Sequence, residues 1–414
     1  MGIKQRLIIL NFFQFFIWGS WLLTIGAYWF QTKQWSGTEF GAIFSTMGLA
    51  SLFMPAIAGI IADRWVNAER LYGLFHILGG IILFIIPKIN NPSGMFWIMF
   101  LNMIFYMPTI ALAITVCYSA LKNKGLDIIS EYPPVRVWGT IGFIVALWTI
   151  SLSHLEKSGG QFYVASVASI FLGLYAFTLP QCPPLGKTQK KSLIYAFGLN
   201  AFALFKNVNM AVFFLFAMLL GASLQLTNAY GDTFLHDFAE TEIYKDTIAV
   251  RYPAIIMSVS QISETLFILT IPFFLRRFGI KKVMIFSMIA WVLRFGLFAY
   301  GNPGTGLWMI ILSCIIYGMA FDFFNISGSL YVEKQSEPGI RASAQGLFMM
   351  MTNGFGAFLG SWISGIVIDT FFTAPDGRFE WKEIWLTFAI YSLIVSVLFI
   401  ILFRYKHISQ TTGG

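Results

Sequence analysis

Charge is what this sequence has least of. Only 11% of its 414 residues are Asp, Glu, Lys or Arg, under half of the roughly 25% found in soluble domains, which excludes a water-soluble globular chain. Cysteine is nearly absent as well. Cys117, Cys182 and Cys314 stand far apart, with no paired spacing from which a disulfide framework or a metal motif could be built. The four histidines, His76, His154, His236 and His407, are dispersed, and neither an HExxH pair nor a glycine-rich phosphate loop occurs. The common metal-dependent and nucleotide-hydrolysing chemistries therefore lack their residues, so neither an enzyme nor a metal or other cofactor is expected. A dense basic stripe is also missing. The formal net charge is +8, yet the basic residues are scattered through short loops, so nucleic acid is not an expected partner. The opening Met-Gly-Ile-Lys-Gln-Arg resembles the charged start of a signal peptide, but no small-residue cleavage site follows. Arg6 stands where an N-myristoylation motif wants Ser or Thr. The first apolar run is expected to be kept as a helix.

What is there in abundance is apolar. Hydrophobic residues make up 57% of the chain, aromatics 18%, and Phe alone occurs 44 times. They fall into continuous stretches of about 20, the length that carries an α-helix across some 30 Å of hydrocarbon. The runs do not alternate, so helices rather than a closed barrel satisfy the backbone in lipid. The predicted spans are 7–29, 40–61, 71–87, 95–120, 135–153, 161–180, 210–234, 253–275, 283–300, 307–329, 342–370 and 385–403. This is an all-α membrane protein of twelve transmembrane helices, with membrane lipid as its surroundings and both termini on one side. Assigning that side to the cytoplasm gives it nineteen of the 27 Lys and Arg, against seven on the other face and Arg294 inside a span, as the positive-inside rule requires. The polar stretch 181–209, with Pro183, Pro184, Lys187, Lys190 and Lys191, divides the chain into six-helix halves, 1–180 and 210–414. Paired halves are a secondary-transporter design with the substrate between them near the midplane.

Ionisable side chains inside spans cost about 2.5–3.5 kcal/mol at the helix centre, so the few present are functional candidates. They are Glu264, Asp322 and Arg294. Arg294, about two turns from a helix end, is expected to snorkel to the interface. Gln261 and Glu264 are three apart, as are Gln225 and Asn228, so each pair shares one helical face. Amides and a carboxylate suit a neutral ligand rich in hydroxyls, carbonyls and ring nitrogens; the plainer alternative is hydrogen bonding between helices. Tyr317 and Phe321, four apart, and Phe143, one turn beyond Thr140, could sandwich a flat heterocycle, although any single ring in so aromatic a chain can equally be core or lipid-facing. Arg136, expected to begin the fifth span after Pro133 and Pro134, could reach either the inner surface or a carboxylate.

Between the second and third spans, Gly59-Ile-Ile-Ala-Asp63-Arg64 resembles the loop signature of the major facilitator superfamily, without the glycine usual after the Arg. Asp63 could cap a helix end and Arg64 pair across the bundle, a gate that parts when the inner side opens. Longer strings are more specific: Phe-Gln14-Phe-Phe-Ile-Trp-Gly-Ser-Trp, Pro133-Pro134-Val-Arg136-Val-Trp-Gly-Thr140-Ile-Gly-Phe143, Gln225-Leu-Thr-Asn228, Gln261-Ile-Ser-Glu264-Thr, Phe321-Asp322-Phe-Phe-Asn and Arg341-Ala-Ser-Ala-Gln-Gly. In these the chain closely resembles the nucleoside:proton symporter family of that superfamily, nearly end to end. The resemblance implies the major facilitator fold, a bacterial inner membrane, a monomer, and proton-driven import of nucleosides such as uridine, cytidine, thymidine, adenosine and inosine, with the proton as the sole coupling ion. It also implies a central pocket of Arg136, Thr140, Phe143, Gln225, Asn228, Gln261, Glu264, Tyr317, Phe321 and Asp322. Asp322 is expected to carry the proton, with Glu264 as second choice. A sugar or other polar solute would use the same polar set, and a nucleoside sensor that moves nothing stays open as an alternative.

Overall fold

The apolar runs fold as helices, because in lipid each backbone N–H must find its partner within its own segment. A computed structural model describes residues 2–184, 199–337 and 340–405. In chain order the helices are α1 (Ile3–Gly19), α2 (Gly37–Arg64), α3 (Ala68–Ile85), α4 (Pro92–Asn123), α5 (Ile128–Leu152), α6 (Gly160–Ala176) and α7 (Val208–Asp237). They continue with α8 (253–278), α9 (280–300), α10 (Leu307–Gln335), α11 (Ser343–Phe371) and α12 (Trp381–Leu402). Nine helices among the described residues are long and apolar enough to cross a membrane when 253–300 is taken as one. That run is interrupted at Gly279, whose φ of 76° and ψ of 166° are open to glycine and to few other residues. α1 and α6, at 17 residues each, are shorter than a full crossing.

Three boundary expectations are corrected. The first span does not run unbroken over 7–29. α1 stops at Gly19 and a turn leads into 25–33; the Ser20 and Thr24 hydroxyls donate back to the carbonyls of Phe16 and Trp21, the local competition that bends helices at Ser and Thr. The fifth helix begins at Ile128 and contains Pro133 and Pro134. Both are exposed and lie inside the helix, past its first turn, so each removes a backbone donor that the surrounding bundle must make good. Asp63 and Arg64 are not in a loop but in the last turn of α2. Residues 185–198 of the expected linker 181–209 lie outside the described residues, and within the described part Leu199–Lys206 is a 3₁₀ helix.

Within 2–184, α1 packs on α5 and α6, and α3 on α4 and α6; within 199–405, α10 and α12 pack on α8 and α9, and α7 on α11. Contacts of α2 with α11, of α5 with α8 and of the short helix 25–27 with α7 join these groups. Polar side chains tie the first group together internally. Buried Gln14 of α1 accepts from Tyr72 Oη at 2.7 Å, lies 3.0 Å from His76 Nε2 and donates to Thr109 Oγ1 at 2.9 Å, so α1, α3 and α4 share one network. Exposed apolar residues such as Ile390, Ile394, Val397 and Ile401 line one stripe of α12, the side left for lipid.

The two ends of the bundle differ. At the end carrying the chain termini, these contacts stay within a group: Lys4 with Glu131, Arg6 with the Thr178 carbonyl, Glu69 with the Cys182 N–H, and Arg341 with Glu333. At the far end they cross between groups. Asp369 of α11 accepts from the N–H groups of Gly37 and Thr38 at 2.6 Å each, a carboxylate seated on the N-terminus of α2. Gln31 Nε2 donates across the groups to Asp237 at 2.8 Å, a carboxylate that Trp381 Nε1 also holds at 2.8 Å from within its own group, and Trp148 Nε1 donates across to Ser258 Oγ at 2.9 Å. Below Asp369, α2 and α11 touch backbone to backbone: a Cβ on Gly365 would lie 2.3 Å from the Gly37 carbonyl oxygen.

Candidate functional site

Helix contacts shut the far end and leave a cavity of about 1070 Å³ that opens between the two groups toward the terminal end. Its mouth is formed by Gly59, Asp63 and Arg64 of α2 and by Ser343, Gly346 and Met349 of α11. The three residues expected to form a gate thus stand together at this mouth. A Cβ on either Gly59 or Gly346 would meet nothing within 4 Å.

Nine of the ten predicted pocket residues line this cavity together: Arg136, Thr140 and Phe143 on α5, Gln225 and Asn228 on α7, Gln261 and Glu264 on α8, Tyr317 and Phe321 on α10. Their convergence follows from spacing, since each set repeats at three or four residues and so shares a helix face. Tyr317 and Phe321 present parallel rings 5.8 Å apart at an interplanar angle of 6°. Arg136 turns inward, its guanidinium 4.0 Å from the centre of the Phe15 ring, and so takes the cavity rather than the inner surface. It stands within electrostatic range of Glu264 on the facing wall.

Asp322 is the tenth, and it does not line the cavity. It is buried behind Phe321, with Oδ2 lacking any hydrogen-bond partner among the described residues and with Glu264 as its charged neighbour. Cavity-lining Gln225 and Gln261 likewise leave a side-chain oxygen unpaired, and Trp18 leaves its indole N–H unpaired. Buried polar groups are normally satisfied. These three atoms lie inside the wall, behind the surface that the cavity presents.

Arg294 overturns the snorkelling expectation. It is 1% exposed and faces the bundle interior, where Nη1 donates to the Ser313 carbonyl at 2.7 Å and the guanidinium stacks 4.7 Å from the Tyr317 ring and 5.1 Å from the Phe298 ring. It fixes Tyr317 from behind. Sequence reasoning also missed Phe15 and Trp18, which line the cavity from α1. Their signal was faint but present, for Gly139 and Gly142 on α5 draw α1 so close that a Cβ on Gly142 would sit 2.1 Å from the Phe12 carbonyl oxygen.

A bundle shut at one end, with a polar and aromatic cavity between two helix groups, defines a membrane transporter rather than an enzyme. The family model described as nucleoside H+ symporter matches residues 1–408. The chain belongs to that family. It is 53% identical over 408 residues to the xanthosine permease of Escherichia coli, covering 98% of this chain and 97% of the relative. It is 50% identical over 414 residues to the nucleoside permease NupG of the same organism, covering 100% and 99%. The crystal structure of nucleoside transporter NupG superposes with a TM-score of 0.92 over 98% of this chain and all of that one. A peptide-bound transporter of the POT family, 12% identical, has a TM-score of 0.73, a likeness of fold alone.

Proposed function

We propose that this protein imports purine and pyrimidine nucleosides with protons by alternating access, in twelve crossings arranged as two six-helix halves, 1–180 and 210–414, joined by 181–209. The termini then face the cytoplasm, which agrees with nineteen of the 27 basic residues on that side, and the conformation described here is open inward. The observation that carries the reading is the cavity between the halves, where amides from α7 and α8 face aromatic rings from α5 and α10. A nucleoside has a flat base to lie against Tyr317, Phe321 or Phe143 and a ribose whose hydroxyls suit Gln225, Asn228, Gln261 and Glu264.

In this reading Asp322 takes a proton while the far, extracellular side is open. The nucleoside then binds and the halves rock, because a neutral carboxyl is cheaper than a carboxylate to enclose away from water. One charge crossing 100 mV supplies about 2.3 kcal/mol and each tenfold ratio costs about 1.4 kcal/mol, so one proton sustains roughly 40-fold accumulation. Glu264, opposite Arg136, holds substrate and serves as the alternative proton site.

The test is uptake of radiolabelled uridine, adenosine and xanthosine by cells lacking their own nucleoside carriers, with and without a protonophore. Accumulation that collapses with the protonophore is the expected result. No uptake of any of the three, with protein present in the membrane, would overturn the reading in favour of another polar solute or a sensor. Xanthosine belongs in the panel because of the xanthosine permease likeness.

A further inference from the structure

Beyond the central cavity, one buried cluster at the far end has no task in the scheme above. Glu156, in the segment between α5 and α6, meets Asp232 and His236, one turn apart on α7. Glu156 Oε2 lies 2.9 Å from His236 Nε2, and Asp232 Oδ2 lies 3.5 Å from the same nitrogen. All three side chains are at most 5% exposed. Neither approach is aligned as a hydrogen bond, so His236 Nε2 and both Asp232 oxygens stand unsatisfied among the described residues. The Glu156 side is held firmly: Oε1 accepts from the Ala254 N–H in the first turn of α8 at 3.2 Å, and its carbonyl accepts from Gln161 Nε2 at 2.9 Å.

The charges do not balance. Even with imidazolium, two carboxylates would leave the cluster at minus one among side chains that are almost fully buried, where an uncompensated charge is costly. The other charged groups at this end are largely engaged. Asp237 is taken by Gln31 and Trp381, Arg251 by Asp246, and Lys33 by the Ile89 carbonyl and Asn90. Lys157 is within electrostatic range of Asp232, yet its side chain is exposed and forms no ion pair among the described residues. The N-terminus of α8 gives Glu156 a partial positive charge only. One more proton would bring the cluster to neutrality.

We propose that Glu156, Asp232 and His236 form a second proton-binding site, which is assembled only while the extracellular face is shut and which favours that closure when it is loaded. The proposal rests on the alternating-access reading above. Glu156 is carried with α5 and α6, His236 and Asp232 with α7, so opening the face pulls Glu156 away and hydrates all three groups. Linkage then fixes the sign: a group that binds its proton more tightly in the shut state makes acid favour shutting and alkali favour opening.

The reporter is Ser361→Cys on α11, 2% exposed beneath the far-end closure, labelled from outside by a membrane-impermeant maleimide in cells treated with protonophore. Labelling is read as a ratio to the same cysteine in a D232N background at each pH, which cancels the thiol's own ionisation. Between about pH 5 and 8, the range across which histidine changes charge, the ratio is expected to change several-fold to about tenfold, the native cluster opening more steeply with rising pH than D232N, which has one carboxylate fewer to load. H236Q is expected to respond to pH less than the native cluster, and it replaces D232N as the reference background if D232N fails to fold. A flat native ratio, with labelling that still responds to saturating uridine, would overturn this proposal and leave the transport reading intact. Labelling indifferent to both pH and uridine would count against alternating access itself. A native signal indifferent to pH but blocked by added Zn²⁺, with the block lost in H236Q, would also overturn the proposal, showing a metal tie in place of a proton.

Discussion

Asp369 reaches from α11 to the first turn of α2, whereas at the other end of the same two helices Gly59 and Gly346 face open space. The far end is stitched by contacts that join one helix group to the other, and the terminal end carries bonds within a group, such as Lys4 with Glu131 and Arg341 with Glu333. Closure therefore depends on which groups a contact connects, rather than on how many contacts an end has. A transporter whose halves rock must be able to exchange these roles, and Asp322, buried between the cavity wall and the α8–α10 contact, sits where a proton could bias the exchange.

The largest expected effect comes from removing that bias. Asp322→Ala should reduce uphill accumulation of nucleoside from roughly 40-fold to none, while exchange of labelled for unlabelled nucleoside across proteoliposomes continues. Full accumulation by the variant would remove Asp322 from coupling and turn attention to Glu264. Next is a paired test of the two ends. Gly365→Val places a branched side chain against the Gly37 carbonyl, and overpacking of this kind costs about 1–3 kcal/mol, charged to the shut far end alone. Uptake should fall tenfold or more, with external labelling at the far end increased. Gly59→Val meets nothing in the present state, so its thermal stability in detergent should match the parent within a few degrees. Its uptake should nevertheless fall, because the terminal end must also close during the cycle. Unimpaired uptake by Gly59→Val would break the symmetry on which the comparison stands.

Much of this was legible beforehand for a physical reason: hydrocarbon imposes helices of fixed length, and three- and four-residue spacing fixes which side chains share a face. That is why Gln225 with Asn228 and Gln261 with Glu264 could be read as wall residues before the wall was seen. Boundaries were less legible. Proline is tolerated inside a transmembrane helix that its neighbours support, so Pro133 and Pro134 did not mark the beginning of α5, and Ser20 and Thr24 broke α1 through hydroxyl bonds that composition does not display. Arg294 was misread because periodicity gives a face but not what lies opposite it; here the opposite surface offered the Ser313 carbonyl and two rings. Trp18 could not be separated from a dozen other tryptophans until Arg136 and Phe15 defined the cavity's edge. Nor could any sequence pattern say which end is shut, since both states are made from the same chain.

Smaller effects sharpen the picture. Asp369→Asn removes the charge from two hydrogen bonds that hold the far end. Bonds to charged groups are worth about 1.5–3 kcal/mol, and the amide keeps part of this, so a shift of roughly tenfold toward the open far end is expected, read by external labelling of Ser361→Cys. Arg294→Lys keeps the charge but loses the flat stack behind Tyr317, a contact of about 0.5–2 kcal/mol. KM for uridine should rise a few-fold with kcat nearly unchanged, because the damage is to the position of a ring and not to the proton step. A kcat effect without a KM effect would assign Arg294 to the conformational change instead.

The least change is expected at the terminal end. Lys4 and Glu131 lie 2.5 Å apart with side chains 48% and 27% exposed, and exposed pairs of this kind contribute about 0–1 kcal/mol. Both partners move with the same group of helices, so Lys4→Ala should leave the balance between the two ends where it was, with uptake and far-end labelling within about twofold of the parent. That small effect is informative, because the argument holds that contacts within a group do not report on the state. If Lys4→Ala altered far-end labelling as strongly as Asp369→Asn, the terminal ion pairs would have to strain against closure across the whole length of the bundle, and the division of labour between its two ends would be lost.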